Sequence, residues 1–132
     1  MESNGLETMR RYATLWEAGD VDGLVRLCHL PYFVLRSGHP TLRSSPEEVR
    51  EAFRSLLPLW TKDGGADDRL EALPGLSPGP TTIVVRARWG AWTLRVSGQE
   101  PQRSPEFLYV VCRRRGKWGV SGAIAEWPGS ED

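Results

Sequence analysis

Residues 12–38 read YATLWEAGDVDGLVRLCHLPYFVLRSG, and this stretch predicts two helices that run into a strand. Apolar residues at helical spacing mark the first helix, which runs to about Ala18. These residues are Leu6, Met9, Ala13 and Trp16. Asn4 and Glu7 have the spacing of a capping pair, which places the start of the helix. The chain is therefore expected to begin with an amphipathic helix.

A glycine and an aspartate separate the first helix from the second. Gly19 can adopt the left-handed conformation that ends a helix, and Asp20 can cap the next one. The apolar residues that share a face of the second helix are Val21, Leu24, Val25 and Cys28. A thiol in such a stripe behaves as a small buried hydrophobe, not as a nucleophile. His29 is then expected in the last turn, where the carbonyl end of the helix favours an imidazolium.

A strand and a short return strand follow the second helix. Pro31 cannot continue the helix, so residues 31–38 predict the first strand. A turn is expected at Gly38–Pro40, with His39 exposed, and residues 41–44 predict the return strand.

The third helix has the clearest start in the chain. Ser45 can cap it, Pro46 suits its first position, and Glu48 lies three residues after the cap. The apolar face of this helix is formed by Val49, Ala52, Phe53, Leu56, Leu57 and Trp60. Pro58 must kink or end the helix because proline cannot donate a backbone hydrogen bond.

In the second half of the chain, apolar and polar residues alternate as they do in β-strands. Residues 81–96, TTIVVRARWGAWTLRV, place Ile83, Val85, Ala87 and Trp89 on one face. Gly90 is the expected position of a bulge or bend. Residues 106–115 and 118–127 predict two further strands. Helices followed by an antiparallel meander predict an α+β domain with the helices on one face of a curved sheet.

Composition and charge narrow the class of protein. The 132 residues suit a single domain, 1–132, and Lys plus Arg equals Asp plus Glu at 17 each, so no net field favours nucleic acid. The amino terminus is polar, no apolar run reaches the length of a membrane span, and the two cysteines lack metal-ligand spacing. We therefore expect a cytoplasmic protein with no metal, cofactor, nucleic-acid or membrane partner. The basic run Arg113–Lys117 is expected to be a solvated hairpin.

The order of these elements resembles the nuclear transport factor 2-like superfamily, in particular its SnoaL-like and ketosteroid-isomerase-like branches. The resemblance is carried by the 12–38 stretch, a return strand, a capped amphipathic helix and a final meander that ends in AEW. It implies a cone-shaped α+β fold, in which N-terminal helices and a strongly curved, mostly antiparallel sheet enclose a pocket. It also implies a homodimer formed through the outer surface of the sheet.

The resemblance implies only part of the set of catalytic residues that ketosteroid isomerases use. Tyr12 matches the first-helix tyrosine that donates a hydrogen bond to the developing oxyanion in ketosteroid isomerases. The position of the base holds Arg36, which stays protonated and cannot abstract a proton from carbon. The second donor position falls within Phe107–Tyr109, where no residue is an acid. SnoaL-type cyclases carry an acidic residue on this later strand, and the nearest candidate here is Glu106.

The leading hypothesis is a domain that binds a small apolar or aromatic acid, with Tyr12 and Arg36 as polar anchors. A guanidinium at the pocket mouth suits a carboxylate, phenolate or enolate. The residues expected to line the pocket are Tyr12, Trp16, Tyr32, Arg36, Phe53, Trp60, Trp89 and Tyr109. Tyr32, Val34 and Arg36 share a strand face, but alternation alone leaves open whether that face points inward or outward.

Two other hypotheses remain open at this point. The protein could be an isomerase, cyclase or dehydratase that uses Tyr12 with an unconventional base: Glu106, Glu126 or His39. It could also be a non-catalytic dimerisation or accessory module whose cavity is filled by its own tryptophans. A void lined by Trp16, Phe53 and Trp60 would favour a ligand site over the accessory module.

Overall fold

The N-terminal part of the chain is largely helical, as its apolar stripes predict. The computed structural model describes residues 2–62, 68–95, 97–98 and 100–126. Its helices are α1 (Glu2–Ala18), α2 (Val21–Leu27) and α3 (Pro46–Leu56), with short 3-10 helices at Leu57–Leu59 and Pro74–Leu76. The expected α1–α2 junction is confirmed: Gly19 has φ +67°, and the Asp20 carboxylate accepts the backbone N–H of Gly23 at 2.9 Å.

Both ends of this helical region differ from the predictions. α1 already includes Asn4, whose carbonyl accepts the Thr8 hydroxyl at 2.8 Å, so Asn4 does not cap the helix. α2 ends at Leu27, and Cys28 begins the first strand by pairing with Val120. His29 therefore lies in a strand and not in the last helical turn, because a partner distant in sequence ends the helix early.

α3 begins as predicted. The Ser45 hydroxyl accepts the backbone N–H of Glu48 at 3.2 Å, and the Glu48 carboxylate accepts the backbone N–H of Ser45 at 3.2 Å. This capping box satisfies donors that the first turn leaves without a helical partner. The helix ends at Leu56, and Pro58 lies within the 3-10 helix that follows.

Two sheets are formed by the described strands. The strands are β1 (Cys28–Arg36), β2 (His39–Arg43), β3 (Trp60–Lys62), β4 (Arg69–Ala72), β5 (Thr82–Arg88), β6 (Trp92–Leu94), β7 (Gln102–Arg103), β8 (Glu106–Arg114) and β9 (Lys117–Ala125). The larger sheet has the order β2-β1-β9-β8-β5-β4, and the smaller sheet has the order β3-β6-β7. β1 and β9 are parallel, whereas all other pairs are antiparallel. The α+β class with a mostly antiparallel sheet is confirmed.

The turn between β1 and β2 is shifted from its predicted place. Ser37 and Gly38 form it with φ of +48° and +83°, so His39 is already in β2 and pairs with Arg36. Tight two-residue hairpins require positive φ at both positions. This register places Arg43 beside Tyr32, on the same face of the hairpin.

The alternating run at 81–96 is divided between the two sheets. β5 ends at Arg88 and pairs with β8, whereas β6 pairs with β3. A turn at Trp89, in which the backbone N–H of Trp92 bonds to the carbonyl of Trp89 at 3.1 Å, separates the strands. Of the two predicted alternatives at Gly90, the structure shows the bend, at a turn between the two sheets, and not a bulge within one strand. Trp127, the last residue of the predicted final strand, lies outside the described residues.

The larger sheet has two different faces. One, which we call the cavity face, packs on α1 and carries Tyr109 and Val111 of β8. The opposite outer face carries Glu106, Leu108 and Val110 of the same strand. The core lies between the cavity face and the helices; its fully buried members include Met9, Leu24, Val49, Val85, Val111 and Val120. This core leaves part of the space under the helices unfilled.

Candidate functional site

A cavity of about 360 Å³ lies between α1, α3 and the cavity face of the sheet. Its lining is mostly aromatic and apolar. The residues are Tyr12, Ala13, Trp16, Tyr32, Val34, Arg36, Thr41, Arg43, Glu51, Ala52, Phe53, Ser55, Leu56, Trp60, Trp89, Trp92, Phe107, Tyr109 and Ala123. All eight residues that the sequence predicts for a pocket are among them. Helices and strands far apart in sequence thus bring the predicted residues together.

The buried part of the cavity contains all three tyrosines of the chain: Tyr12, Tyr32 and Tyr109. None of them is more than 4% exposed. The rings of Tyr12 and Tyr109 lie 5.2 Å apart, and Phe107 stacks on Tyr109 at 5.6 Å with an interplanar angle of 12°. These rings form a rigid apolar surface that ends in hydroxyl groups.

The tyrosine hydroxyls are held in the neutral form. Burial raises the pKa of Tyr12, Tyr32 and Tyr109 well above the ordinary value, because an ionised phenolate would lose its hydration. For Tyr12, the charge that an ionised Tyr32 would carry adds to the shift. The Trp89 indole N–H donates to the Tyr109 hydroxyl at 3.1 Å. The three groups can therefore act as neutral hydrogen-bond donors at physiological pH.

Four of the six tryptophans line the cavity and leave its volume open. Trp16, Trp60, Trp89 and Trp92 all contribute to the wall. Phe53 of α3 stands at 83° to Trp16, with ring centroids 5.9 Å apart, and it also contacts the rings of Tyr12 and Tyr32. The void lined by Trp16, Phe53 and Trp60 favours a ligand site over a cavity filled by its own indoles.

Polar side chains form part of the rim. Arg36, Thr41 and Arg43 come from the β1–β2 hairpin, whereas Glu51 and Ser55 come from α3. The open question about β1 is thereby answered, because Tyr32, Val34 and Arg36 all line the cavity. The guanidinium of half-buried Arg43 makes no hydrogen bond or ion pair with any residue that the structure describes. The hairpin wall therefore presents positive charge to an aromatic cavity.

The structure does not bring the three candidate bases together with Tyr12. Glu106 lies on the outer face, three residues from Tyr109, and pairs with Arg88 (Nε to Oε2, 2.8 Å) and Arg86 (Nε to Oε1, 3.2 Å). Glu126 follows β9 and is exposed, and His39 is exposed in β2. None of the three lines the cavity. The expectation that Glu106 could act beside Tyr12 is corrected by strand alternation, which points the two side chains of β8 to opposite faces.

The surroundings of Cys28 and His29 indicate that both side chains have a structural role. Burial raises the pKa of Cys28 to about 12, so its thiol stays protonated. Nε2 of His29 lies 3.0 Å from the carbonyl of Cys112 and 3.1 Å from that of Lys117. Both partners are acceptors, so Nε2 carries the proton and bridges the end of the β8–β9 hairpin. The adjacent cysteine and histidine thus stabilise packing and do not form a reactive pair.

The basic run also serves the local structure. Arg114 donates to the carbonyl of Leu30 at 2.7 Å, and Lys117 donates to that of Arg26 at 2.8 Å. Within the described part of the chain, no group of three or more His, Cys, Asp and Glu side chains could hold a metal ion. None of the helices formed by the described residues has the length and apolar character needed to cross a membrane.

Sequence reasoning missed several lining residues, notably Arg43, Glu51, Trp92 and Phe107. Arg43 could have been found from a two-residue turn at Ser37–Gly38, which places it opposite Tyr32. Glu51 lies beside the apolar stripe of α3 and reads as solvent-facing. Nothing in the sequence pattern indicates that Trp92 returns to the cavity from a second sheet.

Comparison with known proteins identifies the fold. No protein-family model matches the sequence, and no curated protein is significantly similar to it. Among solved structures, a ketosteroid isomerase-like protein from Erwinia carotovora atroseptica superposes with a TM-score of 0.67 at 14% identity, covering 98% of this chain and 97% of that one. An NTF2-like protein of unknown function from Shewanella oneidensis gives 0.60 at 14% identity, covering 96% of this chain and 100% of that one.

A third structure has the same architecture. An NTF2-like protein with a cystatin-like fold from Novosphingobium aromaticivorans gives a TM-score of 0.58 at 13% identity, covering 98% of this chain and 84% of that one. Each match spans nearly the whole chain, including the helices and the curved sheet that form the cavity. The chain therefore has the nuclear transport factor 2-like fold, the α+β cone that its sequence predicts.

Proposed function

We propose that the cavity binds a small molecule with an aromatic or apolar body and an acidic group. The observation that carries this proposal is the guanidinium of Arg43, half-buried in an aromatic wall without a partner among the described residues. A partly desolvated charge without a partner is unfavourable. A ligand carboxylate would compensate the guanidinium for its lost hydration by accepting a charge-assisted, bidentate pair of hydrogen bonds. Arg36 lies on the same hairpin face and adds to the positive charge.

The size and lining of the cavity support a ligand with one or two rings. A volume of about 360 Å³ is within the range of small-molecule sites, roughly 300 to 1,000 Å³. The ring system would lie against Trp16, Phe53 and Tyr109, while the acid faces the hairpin. The neutral tyrosine hydroxyls offer donors to an oxygen at the buried end of the ligand.

Binding is better supported than catalysis. The Erwinia structure is that of a ketosteroid isomerase-like protein. An isomerase, cyclase or dehydratase of the SnoaL-like or ketosteroid-isomerase-like type needs a proton acceptor near the substrate. Glu106, Glu126 and His39 all lie outside the cavity, and Arg36 cannot accept a proton. Glu51 is the one carboxylate among the described residues of the lining, and its side chain is a rim group that is 71% exposed. We therefore expect no isomerisation of a 3-keto-5-ene steroid.

The proposal is tested with an acid and its neutral amide. The native protein should bind 3-phenylpropionate about tenfold more tightly than 3-phenylpropanamide, measured by quenching of tryptophan fluorescence. Arg43→Met and Arg36→Met should each remove most of that preference. Arg10→Met, an exposed α1 residue outside the cavity lining, is the matched control and should retain it. Equal affinity for acid and amide in the native protein would contradict the proposal.

We also propose that the outer face mediates a homodimer. Apolar side chains from four adjacent strands meet there: Phe33, Leu35, Leu42, Leu108, Val110 and Ile124. Leu42 is 60% exposed. A contiguous apolar patch of this kind marks an interaction surface, and a chain without net charge does not repel a second copy. Leu42→Glu should convert a dimer to a monomer in light scattering, whereas Leu76→Glu, at an equally exposed leucine elsewhere, should not.

A further inference from the structure

Two elements of the cavity lining carry opposite charges. Arg36 and Arg43 belong to the β1–β2 hairpin, and Glu51 belongs to α3. Glu51 is the one carboxylate among the described residues that line the cavity. Ser55, one turn later in α3, lines the same wall.

Neighbouring side chains do not neutralise the negative charge of Glu51. Its carboxylate lies 3.4 Å from Arg54, but the two side chains are 71% and 59% exposed. Ion pairs this exposed are weak because water screens both charges. Arg43, on the β1–β2 hairpin, forms no ion pair with Glu51 or with any other residue in the described part of the chain. The negative charge therefore remains available to a bound molecule.

A carboxylate at this position is unfavourable for a simple acid and favourable for a ligand that carries both charges. An acid attracted by Arg43 is repelled by Glu51. A ligand with an ammonium group next to its carboxylate can instead satisfy both walls at once. The aromatic body would still occupy the cavity between Trp16, Phe53 and Tyr109.

From this arrangement, and resting on the binding function proposed above, we infer that the ligand is an aromatic zwitterion such as an aromatic amino acid. Glu51 is then the residue that selects the ammonium group. Arg43 and Arg36 hold the carboxylate.

The test compares phenylalanine with 3-phenylpropionate, which lacks only the amino group. Dissociation constants are measured by tryptophan fluorescence for the native protein, Glu51→Gln and Arg54→Met. The ratio of the two constants should shift about threefold against phenylalanine in Glu51→Gln, since an exposed ion pair is weak. Arg54→Met is the matched control: it breaks the same surface pair but keeps the Glu51 carboxylate, so the ratio should be unchanged or shifted toward phenylalanine. The effect of Glu51→Gln should also diminish at about 1 M salt.

The outcomes separate this inference from the proposal on which it rests. If 3-phenylpropionate binds in an Arg43-dependent way but the ratio is the same in native protein and Glu51→Gln, the zwitterion inference is overturned and the acid-binding function stands. If neither compound binds, both are overturned. If Arg54→Met shifted the ratio of dissociation constants against phenylalanine as much as Glu51→Gln does, the shift would come from loss of the Glu51–Arg54 surface pair. That result would also overturn the inference.

Discussion

The two faces of β8 differ although they are made of alternating residues of one strand. On the cavity face, Tyr109 is 3% exposed and Val111 is fully buried. On the outer face, Glu106 is 46% exposed and lies in a network of surface ion pairs. The difference shows that this sheet separates an inner surface dominated by desolvation from an outer surface where charges remain hydrated.

Desolvation determines the pKa values of the ionisable groups on the inner surface. Phenol and thiol groups there have raised pKa values because their charged forms lose water. The arginines and glutamates of the outer face keep contact with water, so their pairs contribute little. The following experiments test this division, beginning with the largest expected effect.

Alkaline pH should destabilise the protein through the inner face. Tyr12, Tyr32 and Tyr109 have folded-state pKa values raised above the ordinary value of 10.0. Their contribution to stability is therefore complete below pH 10 and is lost as pH rises, because only the unfolded chain ionises. Each group contributes about 1.4 kcal/mol per pH unit, so three give a slope of about 4 kcal/mol per unit. Urea unfolding at a series of pH values measures the slope.

Tyr32→Phe is the control for this effect. It removes one ionisable group from the cavity and should reduce the slope above pH 10 by about one third. A native slope no larger than that of a single group would show that the tyrosines ionise in the folded state, and the buried character of the cavity would be wrong.

The two cysteines should react at very different rates. Burial raises the pKa of Cys28 to about 12, whereas Cys112 is half-buried on the outer face beside Thr82. A pKa three units above that of a free thiol leaves about a thousandfold less thiolate at neutral pH. A water-soluble thiol reagent should therefore modify Cys112 first, as mass spectrometry of the native protein can show. Rapid modification of Cys28 would reopen Cys28 and His29 as a reactive pair.

Two neighbouring valines of β8 offer a matched test of packing. Val111 is fully buried on the cavity face, and Val110 is half-buried on the outer face. Val111→Ala should lower the free energy of unfolding by about 2 kcal/mol, since it removes buried methyl groups and leaves a void. Val110→Ala should cost less than about 1 kcal/mol when it is made in the Leu42→Glu background, where no dimer contact covers the outer face. Equal losses for the two valines in urea unfolding of that background would show that the outer face of the single chain is as well packed as the core.

Periodicity predicted most of the fold because helix and strand faces are local properties. The capping box of α3, its buried Val49 and Phe53, and the inward-facing Ile83, Val85 and Ala87 of β5 are confirmed. The predicted stripe of α3 is too long, because Leu57 lies in the following 3-10 helix and Trp60 begins β3. The same logic could have placed Glu106 correctly. It lies an odd number of residues before Tyr109, so the two cannot share a face of a regular strand.

Long-range pairing explains what the sequence could not show. α2 ends before Cys28 because that residue pairs with Val120, and Arg43 joins the cavity because the hairpin register sets it beside Tyr32. The transfer of Trp92 to a second sheet depends in the same way on pairing with β3. Local pattern carries no information about such partners.

The smallest effect is expected for the outer ion pairs. Glu106 contacts Arg88 at 2.8 Å and Arg86 at 3.2 Å. Nε of Arg86 has no well-aligned hydrogen-bond acceptor among the described residues, and Arg86 also pairs with Glu71 at 3.2 Å. Glu106→Gln therefore leaves Arg86 with a carboxylate partner. The loss in free energy of unfolding should stay below about 1 kcal/mol and shrink at high salt. Binding of 3-phenylpropionate should not change, because the sheet lies between Glu106 and the cavity. If Glu106→Gln abolished that binding while the protein stayed folded, the separation of the two faces would be wrong, and Glu106 would return as a candidate for the site.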